Sequence, residues 1–152
     1  MLRSYSPTKH RLLIFSREDN VPSIQYSDEL GLLANQEPSL GEITYFAFGI
    51  PTVEFHDELW GEIQVISKRK SERKLNTYLH DTHRLPYAKK WDRDDKPNDA
   101  PEDATLPYYI RNSIHHPENR LNDPYTDEEL AESTESLIAV LKALQGTQVS
   151  NP

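Results

Sequence analysis

Arginine and histidine are concentrated in one short segment of the chain. Arg111, His115 and His116 lie within six residues of one another, and Asn112 follows the arginine directly. An arginine can hold a phosphate through two parallel hydrogen bonds. A histidine exchanges protons near neutral pH, because its unperturbed pKa is about 6.5. These residue types together suit phosphodiester chemistry, and no other segment has a comparable density of reactive groups.

The spacing restricts how these side chains can meet. Arg111 and His116 are five residues apart, which on a continuous helix separates them by roughly 140° around the axis. His115, four residues after Arg111, is the better partner on one helical face. Pro117 disfavours helical dihedral angles at His116, so a helix that carries Arg111 should end near here. The site therefore needs either a turn that brings His116 back or a second copy of the chain.

The pattern R-N-x-x-x-H, formed by Arg111, Asn112 and His116, resembles the signature of the HEPN superfamily (higher eukaryote and prokaryote nucleotide-binding). The longer strings Ile110–Asn119 and Tyr125–Leu130 look like the C-terminus of HEPN-like proteins in bacterial anti-phage and abortive-infection loci. Some of those proteins accompany AAA-type ATPases or are fused to them.

This resemblance, over roughly residues 106 to 144, implies a metal-independent endoribonuclease that acts as a homodimer without a cofactor. The family site forms where two copies of the motif face each other. By carry-over, His116 transfers the proton at the ribose 2′-OH or at the leaving oxygen, and Arg111 holds the phosphate and stabilises its charge. Asn112 would orient the phosphate or the histidine. The products would be a 2′,3′-cyclic phosphate and a 5′-hydroxyl.

Two further residues and two further functions stay open. His115 and Glu118 are auxiliary candidates for the site. Many members of the family have lost catalysis and serve as binding or scaffold modules. The first alternative is therefore a non-catalytic subunit that binds an AAA-type ATPase or an antitoxin. The second is an unrelated acidic helical interaction module in which the motif is incidental.

The same residues also have purely structural interpretations. Arg111 can be a helix-terminal arginine paired with a carboxylate such as Glu118 or Asp123, and His116 can be a helix cap or a packed ring. Asn112 and Asn119 can serve only as caps or turn residues.

A zinc site is a weaker alternative. His80 and His83 have H-x-x-H spacing, and His115, His116 and Glu118 add possible ligands. Adjacent histidines rarely bind the same ion, so we expect no metal. The chain has no phosphate loop of the Walker type, no G-x-G-x-x-G and no G-x-S-x-G, which argues against a nucleotide hydrolase or a serine hydrolase.

A basic stretch gives candidate contacts for RNA. The candidates are Lys68, Arg69, Lys70, Arg73 and Lys74. The structural alternative is a solvated helix face. Four aromatic residues can either stack on bases or belong to the core; these are Tyr87, Trp91, Tyr108 and Tyr109.

Composition limits the class of protein. The 152 residues are enough for one domain, and the apolar fraction of 36% with eleven prolines indicates a modest core with long loops. The net charge of −8 argues against indiscriminate binding to nucleic acid or anionic membranes. No cysteine is present, which fits a reducing cytoplasm, and we expect a cytoplasmic protein without a signal peptide or membrane span.

We predict a mainly α fold: a small HEPN-like helical bundle in a single domain, 1–152. The N-terminal segment, about 1–50, is uncertain and is left open as short β or irregular structure, and the helical part with the motif covers 52–146. Within the N-terminal segment, Leu12–Phe15 is either a buried strand or a helical turn. Ser27 is a candidate helix cap, and Ser39–Phe48 is either a helix with a Ser39/Glu42 capping box or a strand.

Three predictions concern the rest of the chain. The apolar stripe of Phe55, Leu59, Ile63 and Ile66 predicts one long helix from Thr52 to about Leu79. The polar, proline-containing stretch from Asp92 to Thr105 predicts a surface loop or a mobile segment. The last helix has a Thr126/Glu129 capping box, a hydrophobic staple between Tyr125 and Leu130, and a predicted end at Gly146.

Overall fold

The protein is mainly helical, as predicted. The computed structural model describes residues 13–18, 21–26, 32–33, 38–96 and 98–149. Five helices and two antiparallel strand pairs lie within them. In chain order they are β1 (Leu13–Glu18), β2 (Val21–Tyr26), α1 (Leu40–Phe48), α2 (Val53–Ile66), α3 (Glu72–His83), β3 (Tyr87–Trp91), β4 (Glu102–Thr105), α4 (Leu106–His115) and α5 (Asp127–Val149).

The N-terminal segment contains a strand pair. Within the apolar run Leu12–Phe15, β1 begins at Leu13, so the strand interpretation is correct. β1 pairs with β2 in an antiparallel register that places Leu13 opposite Tyr26. The predicted helix start at Ser27 lies outside the described residues.

The helix interpretation of Ser39–Phe48 is also correct. Ser39 Oγ accepts the N–H of Glu42 at 3.0 Å, which satisfies one of the free donors at the start of α1. The Glu42 carboxylate accepts the N–H of Leu32 at 3.1 Å and also interacts with the backbone N–H of Ser39, as a capping box requires. Burial raises the pKa of Glu42 despite these hydrogen bonds. Gly49, in the left-handed conformation, ends the helix.

The prediction of one helix from Thr52 to Leu79 is wrong, because the chain turns between α2 and α3. Ser71 caps α3 by accepting the N–H of Lys74 at 3.3 Å. Lys68 has a φ of +56°, which no helix accommodates. Like charges three or four residues apart also destabilise a helix, and a continuous helix would place the lysines and arginines of the basic stretch at that spacing.

The prediction of a loop from Asp92 to Thr105 is wrong at its C-terminal end, where β4 pairs with β3. A buried asparagine on α3 holds this strand. Asn76 Oδ1 accepts the N–H and the hydroxyl of Thr105, both at 2.9 Å, and its Nδ2 donates to the carbonyl of Asp103 at 2.8 Å. One side chain thereby fixes the point from which α4 begins.

The ends of α4 and the start of α5 follow the local sequence signals. α4 ends at His115, and the N–H of His116 bonds to the carbonyl of Asn112 at 2.8 Å, as expected before Pro117. The capping box of α5 is complete, since Thr126 and Glu129 exchange hydrogen bonds of 3.1 and 3.2 Å. The predicted stop at Gly146 is wrong, because α5 continues to Val149.

The core lies chiefly between α2 and α5. The predicted stripe of Phe55, Leu59 and Ile63 is completely buried, in one cluster with Leu137 and Leu141 of α5. Burying a side chain of this size stabilises the fold by about 1.5–3 kcal/mol. Among the described residues, no helix has the length and apolar character to cross a membrane.

A fully buried histidine lies in this interface. The Nε2 atom of His56 is 2.8 Å from the Ser133 hydroxyl, while its Nδ1 has no hydrogen-bond partner. Burial lowers the pKa of His56 to about 4, with Asp57 opposing the shift and Arg111 adding to it. The ring is therefore neutral near pH 7.

Gly41 and Gly61 allow a matched test of the packing of α1 on α2. A Cβ at Gly41 would lie 2.8 Å from Phe55 Cβ, whereas a Cβ at Gly61 would meet nothing within 4 Å. We expect Gly41→Ala to destabilise the protein by about 1–3 kcal/mol through overpacking. Gly61→Ala should stabilise it by up to about 1 kcal/mol, because alanine favours the helix. Urea unfolding followed by circular dichroism measures both, and equal effects would contradict the close approach.

The low pKa of His56 predicts a pH dependence of stability. The folded pKa of about 4 lies below the unfolded value of about 6.5, so the unfolded chain binds the proton first as the pH falls. Stability that is present above pH 6.5 should be lost toward pH 4, by about 3 kcal/mol. His56→Gln removes the titration, so its unfolding free energy should fall less steeply than that of the wild type. If the unfolding free energies of the wild type and of His56→Gln fell equally with pH, His56 would not be the group responsible for the loss of stability.

Candidate functional site

Helix α4 presents the motif on two adjacent stripes. Tyr108, Asn112 and His116, spaced four residues apart, line a cleft beside the helix. Arg111 and His115 lie on the neighbouring stripe and contact a carboxylate of α2. The division follows from the rotation of about 100° per helical residue. The structure therefore brings Asn112 and His116 together and places the Arg111 head group outside the cleft.

The cleft has a volume of about 630 Å³ and lies between the start of α3, the β3–β4 pair and α4. Five carboxylates and two guanidinium groups line it. These are Glu72, Asp94, Asp95, Glu102, Glu118, Arg73 and Arg93. The formal charge of the lining is thus negative when the histidine is neutral.

Both arginines of the cleft are already paired. Arg73 donates two hydrogen bonds to Glu102, one of them at 3.1 Å, and the Tyr108 hydroxyl donates to the same carboxylate at 3.1 Å. Arg93 donates to both oxygens of Asp95 at 2.9 and 2.7 Å. An anion that enters the cleft must therefore displace a carboxylate from one of these arginines.

His116 is the accessible imidazole of the cleft. Half of its side chain is exposed, and its Nδ1 lies 3.4 Å from an oxygen of Glu118. Its ring centroid is 6.4 Å from that of Trp91, which is buried. The helix-cap position orients the backbone of His116 and leaves its ring at the solvent, where it can exchange a proton with a ligand.

Asn112 contributes an unsatisfied donor to the wall of the cleft. The residue is 3% exposed, and its buried Nδ2 makes no hydrogen bond of normal geometry, although it lies near the Tyr108 hydroxyl. Burial is the main reason that the pKa of Tyr108 is raised. A buried donor without a partner costs about 1–3 kcal/mol. Because this atom is almost completely covered, a ligand oxygen reaches it only if a neighbouring group such as the Tyr108 hydroxyl moves.

Arg111 joins three helices. Its Nη2 lies 2.8 Å from a carboxylate oxygen of Glu72, and its Nε lies 3.0 Å from Asp57 Oδ1 without the geometry of a hydrogen bond. Only 15% of its side chain is exposed. The structural interpretation that paired it with Glu118 or Asp123 named the wrong carboxylates.

His115 shares a carboxylate with Arg111. Its Nε2 lies 2.9 Å from Asp57 Oδ1, the same oxygen that faces the arginine. The expectation that His115 is the same-face partner of Arg111 is thus confirmed. A carboxylate at one imidazole nitrogen orients the ring and leaves Nδ1 for another contact. Within the described residues, His115 Nδ1 has no hydrogen bond.

The other candidate residues lie apart from this region. Within the described part of the chain, no three His, Asp or Glu side chains are grouped as metal ligands. His80 instead bonds to the carbonyl of Leu85 at 2.9 Å and stacks on Tyr87 at 3.8 Å. The rings of Trp91, Tyr108 and Tyr109 are buried in the core, which removes them from base stacking.

The five candidate RNA-binding residues are all exposed. Lys68, Arg69 and Lys70 lie on the turn between α2 and α3, and the other two lie in the first turn of α3. Arg73 also lines the cleft.

Sequence reasoning missed Asp57 and Glu72, the two carboxylates that hold Arg111. They are 54 and 39 residues from it in the chain, and no local spacing rule links them. Sequence reasoning also missed Arg73 as a cleft residue, because the position of this arginine relative to the cleft depends on how β4 packs beside α3. The acidic character of both carboxylate residues was visible, but acidic residues are common on the surface of this chain.

Comparison with known proteins supplies no relative from which a function can be transferred. No protein-family model, curated protein or solved structure matches the chain. Function must therefore be inferred from the geometry around α4 and from the motif itself.

Arg111 should contribute to stability, while His116 should not. We expect Arg111→Ala to lower the unfolding free energy by about 1–2 kcal/mol, because partly exposed carboxylates on two helices lose their shared cation. His116→Ala should change it by less than about 0.5 kcal/mol, because the ring is half exposed. Urea unfolding measures both variants. The unfolding free energy of Arg111→Lys should lie between those of the two alanine variants, because lysine keeps the positive charge but lacks the planar guanidinium donors. Equal values for the two alanine variants would contradict the bridging role.

Proposed function

We propose that this chain is a HEPN-like, metal-independent endoribonuclease of a bacterial anti-phage or toxin system. It acts in the cytoplasm as a homodimer and uses Arg111, Asn112 and His116. The observation that carries the proposal is the position of His116. Its half-exposed imidazole lies in the wall of the cleft, beside the unsatisfied amide of Asn112.

The reaction requires two proton transfers. The ribose 2′-oxygen attacks the adjacent phosphorus while a base removes its proton. The bond from phosphorus to the 5′-oxygen breaks while an acid protonates that oxygen. The products are a 2′,3′-cyclic phosphate and a 5′-hydroxyl. One imidazole can serve as the base and a second as the acid.

The homodimer supplies the second imidazole. His115 and His116 lie on different sides of α4, because one contacts Asp57 of α2 and the other lines the cleft. A single copy therefore presents one histidine to a phosphate in the cleft. Two copies of α4 that face each other provide two His116 side chains and two Arg111 side chains.

Arg111 must exchange partners to act on the phosphate. Asp57 and Glu72 hold its guanidinium. When a phosphate replaces one of these carboxylates, the arginine stabilises the charge that develops on the non-bridging oxygens. Glu72 both lines the cleft and contacts Arg111. A phosphate that takes the place of the Glu72 carboxylate would therefore meet the Arg111 guanidinium at the edge of the cleft.

A second function is favoured by the charge of the cleft. Its arginines are paired, its lining is negative, and Arg111 is held by two carboxylates. Such a surface repels a polyanion and attracts a basic partner. The alternative proposal is therefore a non-catalytic HEPN-like subunit that binds a partner such as an AAA-type ATPase or an antitoxin.

Cleavage of total RNA by the purified protein in EDTA tests the first proposal. We expect the wild type to produce cyclic-phosphate ends, and His116→Ala to cut about 10²–10⁴-fold more slowly, because general acid–base catalysis is lost. Arg111→Ala should lose about 10²–10³-fold at a temperature where it remains folded. Sedimentation of the same samples measures the homodimer.

The control is His83→Ala, which removes a histidine of α3 outside the cleft and should retain activity. The cleavage rate of His115→Ala, measured in parallel, separates the contribution of the His115 imidazole from that of His116. A wild type that leaves RNA intact at every concentration, with and without a co-purifying partner, would favour the non-catalytic subunit. Cleavage that EDTA abolishes would contradict the metal-independent reaction.

A further inference from the structure

A second depression in the surface lies beside the cleft and differs from it in charge. It has a volume of about 500 Å³, runs along most of α3, and is lined by residues that include Arg69, Arg73, Lys74, Tyr78 and Asp81. We call it the basic groove. Lys68 and Lys70 flank Arg69 in the chain, so the groove and the turn before α3 together contain five of the 17 lysines and arginines of an acidic protein.

Most of these cations are available to a ligand. Within the described residues, Lys68, Arg69, Lys70 and Lys74 form no ion pair with a carboxylate, and Asp81 is the acidic residue of the groove lining. The neighbouring cleft differs, because its arginines are neutralised. A surface with unpaired cations attracts a polyanion even when the protein as a whole is negative.

The turn that carries the cations is well defined. Lys68 has a φ of +56°, in the left-handed region that side chains other than glycine rarely adopt. Two hydrogen bonds of 3.1 Å hold the turn, from the N–H of Lys68 to Val65 and from the N–H of Arg69 to Gln64. Strained backbone that the surrounding structure holds in place is frequent at binding sites.

Arg69 is also held in place. Its guanidinium carbon lies 4.7 Å from the centroid of the Tyr78 ring, in a cation–π contact. Stacking on the ring restricts the arginine while its N–H donors remain free to bind a phosphate. The groove thus combines a positioned guanidinium with mobile lysines.

The groove leads into the cleft through Arg73, which lines both. In the cleft this arginine bonds to Glu102. A strand that follows the cations of the groove therefore reaches the wall that contains Asn112 and His116. A cleft of about 630 Å³ has the size of a small-ligand site, which suits one or two nucleotides of a single strand and not a duplex.

We infer that the basic groove binds the phosphate backbone of single-stranded RNA and leads the strand to His116. The inference rests on the proposed function for the cleavage step, but binding of RNA to the groove can be measured without it. Electrostatic tracking of the backbone gives affinity without sequence preference. The substrate class is therefore an extended single strand that reaches from the groove into the cleft.

Binding is tested by fluorescence anisotropy with a labelled 20-nucleotide uridine oligomer in EDTA, between 50 and 200 mM NaCl. The full-length protein carries His116→Ala so that the probe stays intact. The test variant adds Lys68→Gln, Lys70→Gln and Lys74→Gln, all at exposed positions. Its matched control adds Arg84→Gln, Lys96→Gln and Lys142→Gln, which remove the same charge from exposed positions outside the groove. Circular dichroism checks that both variants are folded.

We expect the groove variant to bind the oligomer at least tenfold more weakly at 100 mM NaCl than the control. Its plot of log affinity against log salt should be shallower by about 2, since each phosphate contact on a single strand contributes about 0.7. Equal affinities and slopes for the two variants would overturn the inference. The inference would also be overturned if the oligomer did not bind and if phosphatidylserine vesicles bound the control variant but not the groove variant.

A cleavage assay separates this inference from the proposed function. With His116 restored, the groove variant should cut the dinucleotide UpU as fast as the control does and the 20-nucleotide oligomer at least tenfold more slowly. If both variants cut both substrates equally, the ribonuclease stands and the groove assignment fails. If the wild type cuts neither substrate but the groove variant alone loses affinity for the oligomer, the groove stands and the ribonuclease fails.

Discussion

The position of α4 depends on one partly buried cation, the guanidinium of Arg111, which lies between a carboxylate of α2 and a carboxylate of α3. Because these carboxylates belong to different helices, the contact fixes how α4 is rotated about its own axis. That rotation turns Asn112 and His116 toward the β3–β4 pair and turns His115 toward α2. The division of the motif into two stripes is thus a consequence of the ion pairs and of helical geometry together. It also makes Arg111 a structural residue, whose ion pairs join α4 to α2 and α3.

Two neighbouring surfaces of opposite electrostatic character follow from the turn between α2 and α3. On one side of Arg73 lies the cleft, whose guanidinium groups are neutralised by Asp95 and Glu102. On the other side lies the basic groove, whose cations other than Arg73 lack carboxylate partners in the described residues. A continuous helix from Thr52 to Leu79 would have spread these cations around its circumference. The break at Lys68 and the cap at Ser71 gather them at one end of α3 instead.

Local signals in the sequence predicted several elements, and long-range contacts explain why β4 and the partners of Arg111 were missed. The capping pair Thr126 and Glu129, and Pro117 after His116, act within a few residues, so their effects on α5 and α4 were readable. The apolar stripe of α2 was readable for the same reason. β4 was missed because its stability comes from pairing with β3 and from Asn76, 29 residues before Thr105. The partners of Arg111 were missed because helix packing, which no spacing rule encodes, brings Asp57 and Glu72 to it.

The electrostatics of the cleft limit which functions the protein can have. A phosphodiester that enters the cleft of a single copy meets His116 and the amide of Asn112, but every guanidinium there already has a carboxylate partner. Charge that develops on the phosphate must be stabilised by a cation, and displacing a bidentate carboxylate from an arginine is costly. In the proposed dimer, a second copy of α4 adds another Arg111, and in each copy Asp57 and Glu72 hold this guanidinium. In the proposed mechanism, ribonuclease activity therefore requires the homodimer, which supplies the second His116. A chain that remained monomeric would have the geometry of a subunit that binds a basic partner.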